Sequence, residues 1–309
     1  ILKAVESVFP TVPDYICHFH FLRDIGKDLF EGEYRAIKRY TKAFKVKPAL
    51  RNTAKSLKTQ IDEDPDLSAE LDAYVKTDSV VAMQTTLSPV VTAYLLVSWI
   101  LGANGASNGF GFPFDQPHLV FYQRLQQAFP ELKRLKAKGV TTLPLLVVNK
   151  TLSDQALKNA QASIEKRLSI FNQLRDAMRI ACTDSVHGLN DEGDDDIDNI
   201  EQRVKAFRDD EKLKALSAKD TRYRKLIKQI DKYWEKLFAK PIQVDTPAGT
   251  VTIQPQRTNN VMEQIFRFTK RDRRKKSGQH SLSKALVGMF ADTPLVRNLK
   301  NTDYMDILL

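Results

Sequence analysis

The chain has little of what secreted and membrane-spanning proteins rely on. Only two of its 309 residues are cysteines, Cys17 and Cys182, 165 positions apart. A lone distant pair makes no disulfide scaffold and points to a reducing, intracellular compartment. Uninterrupted apolar sequence is also scarce. Residues 79–103 form the most apolar stretch, but Gln84, Thr85, Thr86, Ser88 and Pro89 interrupt it and leave about a dozen continuous apolar residues, too few to span a bilayer. This predicts a buried core helix with a proline break and no membrane partner. No signal-peptide pattern opens the chain. Its first residues, ILKAVESVF, already have the spacing of an amphipathic helix, so the sequence reads as one that starts inside a domain.

Familiar catalytic signatures are missing as well. The five histidines, His18, His20, His118, His187 and His280, form no HExxH pair, and there is no GxSxG serine or glycine-rich phosphate loop. GFGFPF offers glycines, but it follows no strand and lacks the phosphate-binding lysine, so packing of its phenylalanines is the expectation. The acidic run Asp194, Asp195, Asp196 and Asp198 fails as a calcium loop. Counted from Asp194, the sixth position is Asn199 and the twelfth Lys205, where glycine and glutamate are needed. It reads as a solvated loop.

What the chain does have is positive charge, with a net +10 and a pI near 9.4. Such a balance suits a polyanionic partner, most often nucleic acid. The pattern is mostly helical. DYICHFHFL, aromatic and β-branched, predicts a short buried strand. A charged helical pattern runs from about Arg23 to Thr77, with further helices over 118–138, 154–183 and 200–239. A Gly/Asn/Pro loop, GANGASNGFGFPFDQP, lies between the apolar block and the first of these. PIQVDTPAGTVTIQPQ alternates around Ala248-Gly249 and predicts a β-hairpin.

The most informative segment is RTNNVMEQIFRFTKRDRRKKSG, residues 257–278. On a helix from Asn260 to Lys276, Val261, Met262, Ile265, Phe266 and Phe268 supply an apolar side. Glu263, Arg267, Lys270 and Arg274 share one stripe. Residues 257–276 carry eight basic and two acidic side chains, a concentration that predicts salt-dependent phosphate binding without base specificity. Arg257, Lys270, Arg271, Arg273, Arg274, Lys275 and Lys276 are the candidate DNA contacts. Asn260 with Glu263 is equally the spacing of a capping box, in which the carboxylate only closes a helix N-terminus.

Thr258, Asn259, Asn260 and Glu263, with Lys270 seven positions on, resemble the third-carboxylate helix of DDE transposases. The run KRDRRKKSG and the tail ALVGMFADTPLVRNL resemble the ends of bacterial insertion-sequence transposases. AVESVFPTVPDYICHFHFLRDIGKDL is similar to the stretch after the second catalytic Asp of Mutator-like transposases, where a helix ending in Phe-Pro leads to a strand bearing Cys-x2-His, here Cys17 and His20. Those two residues alone fit a buried cysteine and a hydrogen-bonded histidine equally well, since two ligands make no structural zinc site.

The resemblance implies a mainly α fold with minor β: a partial RNase H-like core, truncated at its N-terminus and interrupted by a large helical insertion. Residues 1–22 would be the core remnant, 23–240 the insertion, and 241–309 the hairpin, catalytic helix and basic tail. It implies Glu263 as one catalytic carboxylate and ligand of two Mg²⁺ (or Mn²⁺) ions, supported by Asn259, Asn260, Arg267 and Lys270, with both aspartates upstream of Ile1. The implied activity of the parent is DNA cleavage and strand transfer at transposon ends; these residues alone would be inert. The implied partners are transposon-end and target DNA and further copies of the protein, in a bacterial, nucleoid-associated cytoplasmic setting. The alternative is a non-catalytic helical DNA- or RNA-binding protein.

Overall fold

The computed structural model describes residues 14–76, 87–106, 108–182, 197–246, 249–255, 257–258, 267, 271, 274–275 and 278. The helix expected over 1–9, most of the acidic loop and the tail beyond 278 lie outside them. The described residues are mainly helical, with one two-stranded sheet. They divide into two compact units, Arg23–Leu174, and Ile1–Leu22 with Arg175–Leu309. No described helix is long and apolar enough to cross a membrane.

The chain enters the first of these through helix α1, His18–Ala43. This corrects the strand expected at DYICHFHFL. A strand would bury alternate residues, but the buried positions are His18, Phe21, Leu22, Ile25 and Leu29, the 3.6-residue spacing of one helix face. Helices α2 (Val46–Glu63) and α3 (Pro65–Lys76) follow. On α2 the buried set Val46, Leu50, Thr53, Leu57 and Ile61 faces α4, Pro89–Leu101.

Helix α4 is the described part of the apolar block, and it begins at the proline. Pro89 occupies the first turn, where its missing N–H costs nothing, and the Ser88 hydroxyl accepts from the Val91 amide at 3.3 Å. Thirteen residues rise about 20 Å, and Val91, Ala93, Leu96, Val97 and Ile100 are buried. Helix α5, Pro117–Ala137, packs Phe121, Leu125 and Leu132 into the same core. Helix α6, Leu145–Ser153, joins it through Val148, and α7 spans Gln155–Ala177.

The Gly/Asn/Pro loop is held by Asp115, whose carboxylate accepts from the Asn108 amide at 2.9 Å and the Gly111 amide at 2.8 Å. Its phenylalanines pack as expected. Phe112 stacks on Tyr34 with centroids 4.5 Å apart, and Phe114 tilts against Phe171.

In the other unit, α8 (Ile197–Asp209), α9 (Glu211–Lys219) and α10 (Thr221–Leu237) pack in sequence order. Asp210 and Asp220 cap the second and third of these through the Leu213 and Arg222 amides. Strands β1 (Ile242–Thr246) and β2 (Gly249–Ile253) form the expected antiparallel hairpin, closed by the Thr246–Gly249 pair, with Gly249 at φ 118°.

Candidate nucleic-acid interface

Within the unit formed by 1–22 and 175–309, the two motif-bearing segments of the sequence meet. The Ile16 amide donates to the Lys236 carbonyl at 3.0 Å, and the His18 amide donates to the Arg257 carbonyl at 2.9 Å. Lys236 pairs with Asp14 at 2.6 Å, and Phe21 sets its ring edge-on to Tyr233. The start of α1 is thus laced both to the end of α10 and to Arg257-Thr258, 240 positions along the chain.

Cys17 is half-buried, and its carbonyl opens α1 by accepting from the Phe21 amide at 3.0 Å. His20 is also half-buried, with its ring edge-on to Phe19. The buried histidine is instead His18. Its Nε2 lies 2.6 Å from the Leu237 carbonyl, which fixes the proton on that nitrogen, and its ring meets Phe238 edge-on. Burial lowers its pKa to about 4, with the Arg257 charge adding to the effect and the carbonyl bond opposing it. Sequence reasoning missed His18 because the Cys-x2-His spacing drew attention to His20. The helical run through Ile25 and Leu29 carried the signal.

Arg257, expected as a DNA contact, has its guanidinium donating to the Met178 carbonyl at 2.8 Å, and Thr258 beside it is buried. Beyond them, Arg267, Arg271, Arg274 and Lys275 have helical backbone and exposed side chains. In the sequence, positions 267, 271 and 274 fall at i, i+4 and i+7. Asn259, Asn260, Glu263, Lys270, Arg273 and Lys276 lie outside the described residues. Among the described residues no group of three or more His, Cys, Asp or Glu side chains could hold a metal ion. A single carboxylate at 263 supplies one ligand where a pair of Mg²⁺ ions needs several.

What this arrangement can do chemically is bind phosphate. The exposed guanidinium groups of Arg267, Arg271 and Arg274 present forked donors to phosphate oxygens and carry no base preference. In comparison with known proteins, no family model, no curated protein and no solved structure matches this chain.

Proposed function

We propose that this chain carries the glutamate-bearing part of a DDE transposase, with an RNase H-like arrangement formed from its two ends and a helical insertion between them. The observation that supports the reading best is that Arg267, Arg271 and Arg274, soon after Glu263 in the sequence, have exposed side chains. The hydrogen bond that joins the Cys-x2-His segment to Arg257 adds support, because an insertion between core elements needs its two flanks brought together.

In this reading the arginine face and Lys270 grip the DNA backbone beside the bond to be cut, and Glu263 offers one carboxylate ligand. Two aspartates from the parent protein, upstream of Ile1, complete the site. Glu263 together with those aspartates would hold the Mg²⁺ ions, which would supply Lewis-acid activation of the attacking oxygen and charge stabilisation at the leaving one. This chain's own residues hold and orient phosphate.

Two measurements test the reading. With this chain, Arg267→Ala/Arg271→Ala/Arg274→Ala lowers affinity for a labelled duplex, read by fluorescence anisotropy. Its salt dependence flattens by roughly 0.9 log units of affinity per log unit of salt for each phosphate no longer neutralised. With the aspartate-containing parent, Glu263→Gln abolishes Mg²⁺-dependent strand cleavage and spares DNA binding. Survival of cleavage would remove Glu263 from the site and leave the second reading, a non-catalytic nucleic-acid-binding protein that uses the same arginine face.

A further inference from the structure

The strongest charge asymmetry in the molecule lies far along the chain from the Glu263 segment. From Arg35 to Lys58 the sequence holds nine lysines and arginines and no aspartate or glutamate. The structure folds this stretch into the second half of α1, a tight turn with Lys45 at φ 52°, and most of α2, all within the Arg23–Leu174 unit. Helical spacing gathers the cations into stripes. On α1, Arg35, Lys38, Arg39 and Lys42 fall at i, i+3, i+4 and i+7, flanking the buried Tyr34, Ile37 and Thr41. On α2, Lys47, Arg51, Lys55 and Lys58 fall at i, i+4, i+8 and i+11, flanking the buried row of that helix.

These charges are not neutralised by neighbouring acids. Among the described residues only Arg35, paired with Glu31 at 2.8 Å, and Lys58, paired with Asp62, hold a carboxylate. Nearby acids of the unit are committed elsewhere, Asp115 to loop amides, Asp154 to the first turn of α7, and Glu33 to Arg167. Both stripes border α5, where Tyr34 of α1 tilts against His118 at 5.5 Å and Lys47 of α2 lies over the Phe121 ring at 4.5 Å. Aromatic rings are set among the cations. Tyr40 and Phe44 stack at 6.4 Å, Arg39 lies over Tyr40, and Lys150 reaches Phe44 from α6.

We propose that this two-helix surface is a second phosphate-binding face, which takes the backbone of a nucleic-acid duplex independently of the arginines at 267–274. The eleven steps from Lys47 to Lys58 rise about 17 Å, the axial span of about five phosphates on one strand. A lipid headgroup layer shares the phosphate chemistry but fits less well. Among the described residues no large apolar side chain between Arg35 and Lys58 is exposed to enter a bilayer.

The test uses the full chain carrying Lys42→Glu/Arg51→Glu/Lys55→Glu, three exposed positions with no ion pair among the described residues. Binding to a 20-base-pair duplex falls at least about tenfold at 50 mM salt, and the plot of log affinity against log salt flattens by about 2 to 3. Thermal unfolding by circular dichroism checks that the fold persists. If charge reversal unfolds the chain, the Gln versions of the same three positions are read in the same assay, with the same flattening expected. Wild-type duplex binding by a folded variant overturns the inference, while the Arg267/Arg271/Arg274 set still judges the proposed function separately. Loss of binding to phosphatidylserine vesicles with duplex binding intact overturns it in favour of a membrane surface.

Discussion

At pH 7 the His18 imidazole is neutral, because burial removes the water that would solvate its charge. Its pKa of about 4 in the folded chain lies below the 6.5 of the unfolded chain, so between those values the unfolded state binds the extra proton. Stability from this group is therefore fully present above pH 6.5 and declines as pH falls toward 4, by on the order of 3 kcal/mol. Urea unfolding at pH 7 and pH 4.5 measures it. His18→Gln, which keeps an N–H for the Leu237 carbonyl but does not titrate, has a shallower pH slope; an unchanged slope would place the acid sensitivity elsewhere. Sequence drew attention to Cys17 and His20 through their spacing. Only the packing of α1 beside Leu237 and Phe238 singles out His18, and the nine residues of DYICHFHFL are too few to reveal that packing.

Helix α1 also carries a test of how tightly its own unit is packed. At Gly26 an added Cβ would lie 2.3 Å from Cγ and 2.5 Å from Cβ of Pro113, and 3.1 Å from a Phe171 ring carbon. Alanine in a helix gains up to about 1 kcal/mol over glycine, but a buried proline ring cannot move aside, and overpacking costs at the upper end of about 1–3 kcal/mol. The clash outweighs the propensity. Gly26→Ala destabilises the chain by a net of about 1–2 kcal/mol, read as a lower urea midpoint with an unchanged m-value. Gly32→Ala, with nothing described within 4 Å, leaves the midpoint level or raises it. Equal effects at the two positions would refute the close approach.

Elements like α1 beyond Arg23, α5 and α10 were legible because charged and apolar residues alternate at helical period over many turns. Helix α6 was not: LLVVNKTLS is short and β-branched, and it is helical because Val148 and Thr151 fill the core beside α5. The break expected at Pro89 coincides with the start of α4, because Ser88 caps that flank and proline fits the first turn.

At the scale of the whole molecule, charge is the most legible property and also the most unevenly placed. Residues 35–58 and 257–276 together hold more than the chain's net +10, so the remaining sequence is net acidic. The basic end was evident from composition. The α1–α2 face was not, because its cations are diluted one in three among core residues and become a surface only when both helices fold. Cations of this kind act through phosphate and carry no sequence information. Two unrelated duplexes of equal length therefore bind with affinities within about threefold of each other at one salt concentration. Log affinity for both falls linearly with log salt, with a slope magnitude above about 4, because the two basic segments together carry many more cations than that slope requires. Anisotropy titrations from about 50 to 200 mM salt measure both quantities. A preference above about tenfold for one duplex would require base contacts that neither cationic segment supplies. A slope below about 4 would mean that only one of the two faces engages the strand.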